Sequence, residues 1–193
     1  GKTIVAFLAM LDAVANGYQA AIMAPTEVLA MQHAQSFKAL CHDFSLPYQV
    51  VCLTGSMTAA QKRKAYEIIA TTPGIFVVGT HALIQEKVDY LFALDDRSLV
   101  EAGKAGKENE IYGSMIYGIG CSTEAAYYLD TGEAECLLVP DEFNVGYESL
   151  EELSHAFKKM TYCVHGKVLS YTVLRKENLF SEKNQELLFK MSQ

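Results

Sequence analysis

The first three residues, Gly1-Lys2-Thr3, are the residue types that end a phosphate-binding P-loop, and they stand directly before a segment that can form a helix. In such a loop, backbone N–H groups at the helix N-terminus hold phosphate oxygens, the lysine reaches the β- and γ-phosphates, and the hydroxyl binds Mg²⁺. The tripeptide alone is common. Its place before a helix, with a short apolar segment to follow, predicts that Gly1, Lys2 and Thr3 bind nucleotide phosphates, with Mg²⁺ held through Thr3.

Small polar residues end three apolar segments of the first half: Pro25-Thr26-Glu27, Thr54-Gly55-Ser56 and Gly79-Thr80-His81. In open α/β sheets, ligands bind at the carboxyl ends of parallel strands. Hydroxyls and main-chain amides at such positions can bind phosphates without reading bases. A structural interpretation stays open for each motif, with Thr26 as a helix N-cap and Thr54-Gly55-Ser56 as a turn.

In order along the chain, the run from Ala24 to His33, the segment Leu53-Thr54-Gly55-Ser56 and the run from Val78 to Gln85 resemble the RecG family of ATP-dependent DNA helicases. The resemblance covers about residues 1–88. It implies ATP and Mg²⁺ as ligands and DNA as a partner. The residues that it implies for contact with the DNA backbone are Pro25, Thr26, Glu27, Thr54, Gly55, Gly79, Thr80 and His81.

Three parts of the family pattern are absent from these 193 residues. They are the glycine-rich residues that precede Gly1, the acidic Asp-Glu-x-His motif that holds Mg²⁺, and the second motor lobe. Phosphoryl transfer depends on electrostatic stabilisation by such groups. We therefore expect nucleotide and DNA binding with little or no ATP hydrolysis, and we assign no catalytic residue.

Carboxylates end two apolar segments of the second half, at Asp95-Asp96 and at Asp141. Carboxylate oxygens accept hydrogen bonds from hydroxyl groups in water-poor clefts. Together with the runs 116–122 and 128–132, these segments resemble the C-terminal part of periplasmic sugar-binding proteins and LacI-type regulators, over about residues 91–193. The resemblance implies a sugar-like small molecule as the ligand of Asp95 and Asp141. The alternative for Asp95-Asp96 is a turn with a helix N-cap at Asp96.

Short apolar segments alternate with longer amphipathic ones along the chain. Strands are predicted at 19–24, 48–53, 75–78, 91–94, 114–118, 136–139 and 168–174, and helices at 3–16, 27–44, 58–70, 98–107, 122–129 and 148–160. The alternation predicts an α/β fold with mainly parallel strands and helices on both faces. We expect a RecA-like sheet fragment over 1–88 and a second α/β lobe of periplasmic-binding-protein type over 89–193. Residues 178–193 show no clear period.

Charge differs between these two segments. The chain carries a net charge of -7, with six basic and five acidic residues in 1–88 but ten basic and eighteen acidic residues in 89–193. This asymmetry suggests two modules, and it argues against nucleic-acid binding by a bulk positive field. No apolar run reaches the ~20 residues that span a bilayer, so no membrane partner is expected.

Five cysteines without a Cys-x-x-Cys pair predict free thiols in a reducing compartment, the cytoplasm.

Three hypotheses about function follow: a helicase-like segment that binds nucleotide and DNA, a sugar-like binding module, and a fused chain without activity. Because each segment supplies only part of a sheet, we also expect exposed edges or faces and a tendency to self-associate.

Overall fold

The computed structural model describes residues 2–81, 83, 88–108, 113–158, 161, 163, 166, 168 and 171–189. The strands are β1 (Gln19–Met23), β2 (Val50–Leu53), β3 (Ile75–Gly79), β4 (Tyr90–Ala93), β5 (Met115–Ile119), β6 (Ala134–Pro140) and β7 (Tyr171–Leu174). The helices are α1 (Lys2–Ala15), α2 (Glu27–Asp43), α3 (Ala59–Thr71), α4 (Asp96–Lys107), α5 (Thr123–Thr131), α6 (Glu142–Lys158) and α7 (Glu182–Phe189). Within this described part, no helix is both long enough and apolar enough to cross a membrane.

All seven strands form one sheet in the order β2-β3-β1-β4-β5-β6-β7. The pairs from β2 through β6 are parallel, and β7 runs antiparallel to β6 at the edge. The mainly parallel α/β class predicted from the alternation of segments is confirmed. Strands β1 and β4 pair in register from Ala20–Tyr90 to Met23–Ala93, so the segments 1–88 and 89–193 share a continuous sheet.

Helices cover the two faces of the sheet differently. On the first face, α1 and α2 bury an aromatic cluster in which the Phe7 ring lies 4.9 Å from the Phe37 ring and 5.1 Å from the Phe76 ring. On the second face, α3, α4 and α5 pack on a core to which every strand of the sheet contributes. Both faces of β1 and β3 are buried, which explains why their sequences are continuously apolar.

Two expectations about elements were wrong, and one segment for which the sequence predicted no element contains a helix. Helix α6 begins at Glu142 rather than at 148, because the Asp141 carboxylate accepts hydrogen bonds from the Asn144 backbone and side-chain amides and so starts the helix earlier. The N-cap of α4 is Asp95, not Asp96. The C-terminal residues, which show no period, form α7, where Leu187 and Leu188 pack against the second core.

Candidate functional site

The carboxyl ends of β1, β2 and β3 bring together three motifs that are far apart in sequence. Strand β3 lies between the other two, and its end is bonded to both. The Ala24 N–H donates to the Gly79 carbonyl at 2.8 Å, and the Thr80 N–H donates to the Leu53 carbonyl at 3.3 Å. We call residues 24–27, 54–56 and 79–81 the strand-end cluster. All eight residues that the resemblance implied for contact with DNA lie in it.

A carboxylate holds two loops of the cluster together. Glu27 occupies the first helical position of α2, and its Oε1 accepts the Ser56 N–H at 2.7 Å. Hydrogen bonds from the Ser56 side chain and backbone, helped by the Gly55 amide and the charge of Lys62, hold the pKa of Glu27 below its ordinary value. A Cβ on Gly55 would come within 3.0 Å of the same carboxylate oxygen, so a side chain there would press on the contact.

The hydroxyls of the cluster differ in whether the protein satisfies them. Thr26 Oγ1 accepts the Leu29 N–H at 3.3 Å and caps α2, and Thr54 Oγ1 lies 3.3 Å from the Ser56 hydroxyl. Thr80 is only 3% exposed, yet its Oγ1 has no hydrogen-bond partner in the described part of the chain. An unpaired buried hydroxyl costs ~1–3 kcal/mol. Of the three threonine hydroxyls of the cluster, this one is therefore enclosed by the protein without a partner in the described part of the chain.

The backbone around Thr80 is tightly packed. A Cβ on Gly79 would lie 2.3 Å from the Leu53 carbonyl oxygen and 2.9 Å from Leu83, so this position admits only glycine. His81, the next cluster residue, is exposed. Glycine at the end of β3 therefore lets the chain turn directly beside β2 and sets the position of Thr80.

The N-terminus of α1 points to the same edge of the sheet. The helix ends near the start of β1, where the Gly17 and Tyr18 N–H groups bond the Val14 and Ala13 carbonyls, and Gly74 bonds Gly17 at the amino edge of the sheet. Because α1 runs back along β1, its first turn lies toward the carboxyl edge. That turn contains no acidic residue, and Thr3 is half-buried. Lys2 begins the helix, its side chain is not among the described parts, and Gly1 lies outside the described residues.

The carboxylates of the second half are occupied by the protein itself. Both oxygens of Asp95 accept from Ser98, one from its N–H at 3.0 Å and one from its hydroxyl at 2.8 Å. Asp96 Oδ1 accepts the N–H groups of Cys121 and Ser122 at 2.9 and 3.0 Å. Asp141 starts α6 through Asn144. Asp95 and Asp141 follow β4 and β6, on either side of β5, so they share an edge but each first serves as a helix cap.

The sequence did not single out two of these contacts. Ser56 was predicted as part of a strand-end motif and Asp96 as a helix N-cap, whereas the structure gives each a hydrogen bond that joins two loops. The available signal was a carboxylate directly after a capping Thr or Asp. The described residues contain no cluster of three or more potential metal ligands. A cavity of about 150 Å³ lies between α5 and Leu179–Phe180, and none of the candidate residues lines it.

These features define a doubly wound α/β protein whose polar loops gather at the carboxyl ends of its parallel strands, where proteins of this class bind ligands. The family model for the DEAD/DEAH box helicases matches residues 1–100, which is more than half of the chain. The chain belongs to the DEAD/DEAH box helicase family.

The similar curated proteins are RecG helicases, as the motifs of the first half indicated. The chain is 51% identical over 90 residues to the ATP-dependent DNA helicase RecG of Streptococcus pneumoniae, a match over 47% of this chain and 13% of the relative. It is 34% identical over 148 residues to the ATP-dependent DNA helicase homolog RECG1, chloroplastic/mitochondrial, of Arabidopsis thaliana, over 72% of this chain and 15% of the relative. The chain thus spans only a small part of the length of these relatives.

Solved structures show a likeness of fold to solute-binding proteins. One is a carbohydrate transporter solute-binding protein from Agrobacterium radiobacter, with a TM-score of 0.51 and 16% identity, over 84% of this chain and 61% of that one. Another is an ABC transporter solute-binding protein from Agrobacterium vitis, with a TM-score of 0.52 and 14% identity, over 88% of this chain and 62% of that one. The second resemblance is confirmed at the level of fold, and it extends over most of the chain.

Proposed function

We propose that the strand-end cluster binds the phosphate backbone of DNA and that the first turn of α1 binds the phosphates of ATP. The observation that carries the proposal is the meeting of three separate motifs around the buried, unpaired hydroxyl of Thr80. That hydroxyl is enclosed in the described structure, so a phosphate oxygen at this edge would accept its hydrogen bond once the turn at 79–81 moves to expose it. The 51% identity to a RecG helicase over 90 residues supports DNA as the source of the phosphate.

The residues at the start of α1 fit a nucleotide with Mg²⁺. The first helical N–H groups have no partner within the helix, and no acidic side chain in this turn competes with an anion for them. Thr3 supplies a hydroxyl for the metal, and Lys2 supplies a cation for the β- and γ-phosphates. Bound Mg²⁺ would neutralise charge between the phosphates.

We further propose that hydrolysis is slow. Phosphoryl transfer needs carboxylates that hold the metal and orient water. The described carboxylates at the end of β4, the strand paired with β1, are Asp95 and Asp96, and they are bonded to Ser98, Cys121 and Ser122. Recruiting them for a metal would leave these amides and the α4 cap unsatisfied.

DNA binding of this kind is expected to be weak and strongly dependent on salt. Backbone contacts position a protein on DNA, and the affinity from phosphate neutralisation falls steeply with ionic strength. The acidic segment 89–193 adds repulsion that the first segment does not offset. Binding is therefore expected at low salt and should be largely lost near physiological salt.

The test is fluorescence anisotropy of labelled single- and double-stranded oligonucleotides, titrated with the whole chain at low and physiological salt. Thr80→Val should reduce affinity several-fold without lowering the melting temperature, because it removes a hydroxyl that bonds nothing in the described chain. The matched control is Thr71→Val, which removes a hydroxyl that bonds the Glu67 carbonyl on α3. Equal affinity for the wild type and the Thr80→Val variant would contradict the role of the cluster.

ATP binding is tested in the same preparation by calorimetric titration with Mg²⁺ and by phosphate release. Lys2→Ala should weaken binding, whereas Lys104→Ala, on the exposed side of α4, should not. Rapid phosphate release would overturn the proposal of slow hydrolysis. Absence of both ATP and DNA binding at low salt would end the helicase-like proposal.

The second candidate is a sugar-like ligand at Asp95 and Asp141, favoured by their position on either side of β5. The two similar solved structures are complexes with D-arabinose and α-D-tagatopyranose. A rise in melting temperature with these sugars, in a chain that binds no DNA, would favour this candidate.

A cytoplasmic site of action is proposed for the first candidate, in keeping with the free thiols of the cysteines.

A further inference from the structure

Helix α6 presents an apolar stripe to solvent. Tyr147, Leu150, Leu153 and Phe157 recur every three or four residues, and they are between 49% and 88% exposed. The opposite side of the helix, at Asn144, Glu148, Glu152 and Ala156, is half-buried. The helix therefore turns its polar side inward and its apolar side outward, the reverse of an ordinary surface helix. None of its side chains from Asn144 to Lys158 belongs to either hydrophobic core.

The sheet has an apolar area of its own on the first face. The register of β4 to β7 places Met115, Leu138, Tyr171 and Val173 on the same side as Phe92, and these four side chains are 37–47% exposed. Tyr117 lies among them and stacks on Phe92 at 5.6 Å. The α1 and α2 residues of the first core pack on the strands at the other end of this face. We call these five residues, Met115, Tyr117, Leu138, Tyr171 and Val173, the open sheet face.

We propose that two copies of the chain form a two-fold dimer. In this dimer the apolar stripe of α6 in each copy packs on the open sheet face of the other copy. The stripe contains no charged residue, and Gly146 and Ser154 beside its large side chains leave room for close approach. The five side chains of the open sheet face are uncharged, and the charged groups of Glu135 and Arg175 lie at its margin, close enough to Tyr117 to act on it electrostatically. Both surfaces are on the same chain, so a two-fold arrangement covers each with the other and leaves neither exposed.

Area favours a reciprocal contact over a single one. A helix of 17 residues covers a footprint of about 25 by 10 Å. One such contact falls short of the ~1,000 Å² that a specific interface buries in total, whereas two contacts approach it. A second copy supplies both at once, and a partner that covered only α6 would leave the open sheet face in water.

The salt dependence of this association has the opposite sign to that of DNA binding. The contact is apolar, and each copy carries a net charge of -7, so added salt screens repulsion and strengthens the dimer. DNA binding weakens under the same change. The inference does not rest on the proposed function, and either can fail without the other.

Sedimentation velocity of the whole chain, over a wide concentration range and at two salt concentrations, measures the association. We expect a dimer whose fraction rises with concentration and salt. Leu150→Lys and Val173→Glu should each abolish it, while Leu8→Lys, at an exposed position on α1, should leave it unchanged. Circular dichroism of each variant checks that the monomer stays folded, which is expected because all three positions are on the surface.

Mixing the two interface variants gives the decisive result. A heterodimer of the Leu150→Lys and Val173→Glu chains has one unaltered contact and one that pairs lysine with glutamate, so the mixture should dimerise although neither variant does alone. A monomer at all concentrations would overturn the proposal. Loss of the dimer in Leu150→Lys alone, without an effect of Val173→Glu, would show pairing of α6 with α6 and would also overturn it.

Discussion

At the scale of residues, the chain uses one arrangement twice at the carboxyl ends of its strands. Thr26 and Asp95 cap α2 and α4, and the next residues, Glu27 and Asp96, accept backbone N–H groups from the loops after β2 and β5. A carboxylate in the first turn of a helix is also favoured by the helix dipole. Each pair thus begins a helix and fixes a neighbouring loop, which for Glu27 is the 54–56 loop of the strand-end cluster and for Asp96 is the loop after β5.

The tie between Glu27 and Ser56 should make stability depend on pH. Because the folded-state pKa of Glu27 lies below its ordinary value, the contact stabilises the fold above the pKa of an unfolded glutamate, ~4.3. That stabilisation is lost as the pH falls through the lower folded-state pKa. Glu27→Gln should therefore lower the melting temperature at neutral pH and have little effect at acid pH below that folded-state pKa.

Thermal unfolding of the wild type and the Glu27→Gln variant between these pH values measures the effect. The matched control is Glu67→Gln at an exposed position on α3, which should leave the pH profile unchanged. An equal loss of stability at neutral and acid pH would show that the carboxylate charge is not what binds Ser56.

The sequence could predict the helix caps but not the hydrogen bonds by which Glu27 and Asp96 hold neighbouring loops. Thr26 and the Asp95-Asp96 pair stand directly before helical segments, so a capping role follows from neighbouring residues. The partner of Glu27 is 29 positions away, and only the pairing of β2 and β1 with β3 brings the two together. The place of Gly79 likewise depends on its close approach to Leu53 of the neighbouring strand, which no local pattern encodes.

At the scale of elements, glycines set how closely the helices of the second face pack. A Cβ on Gly103 of α4 would lie 2.4 Å from the ring of Tyr128 on α5. Gly106, one turn further along the same helix, has its nearest neighbour at 3.4 Å, which is ordinary contact. Close packing of α4 on α5 therefore requires glycine at position 103, whereas position 106 of the same helix has room for a side chain.

Alanine substitutions separate these roles. Gly103→Ala should destabilise the fold by about 1–3 kcal/mol, because overpacking outweighs the gain in helix propensity. Gly106→Ala should stabilise it by ~0.5–1 kcal/mol, because the methyl group fits and alanine favours the helix. Urea denaturation followed by circular dichroism measures both. Stabilisation by Gly103→Ala would mean that α5 can move away from α4 at little cost.

The bounds of the strands that are buried on both faces were predicted well, and the bounds of the last two helices were not. Strands β1 and β3 are apolar segments between turn residues, and their predicted and observed bounds differ by a single residue. Helix α6 buries no described side chain, so its apolar residues gave no guide to where it begins. Helix α7 has only eight residues, which is too short for a period to be recognised.

At the scale of the whole molecule, the net charge of the chain changes near residue 88, but the sheet continues across that point. The two segments differ in net charge, yet β1 of the first and β4 of the second are paired neighbours near the middle of the sheet. Val77 of the first segment and Leu137 of the second belong to the same hydrophobic core. Surface charge reports the solvent-facing residues of a segment, and it carries no information about which strands pair. The division at residue 88 stays a prediction about domains, which unfolding can decide.

We expect the described sheet to unfold in one cooperative transition. Leu137→Ala removes a fully buried side chain of β6 and should destabilise the fold by about 2–5 kcal/mol. For a chain of this size each kcal/mol lowers the midpoint by about 2–4 °C. Because the core is shared, hydrogen exchange should then accelerate in β3 as much as in β6, although β3 lies in the other segment. Leu8→Ala, which removes the same side chain from the surface of α1, should change neither strand. Two calorimetric transitions, with only the one that includes β6 shifted, would instead establish 1–88 and 89–193 as separate folding units.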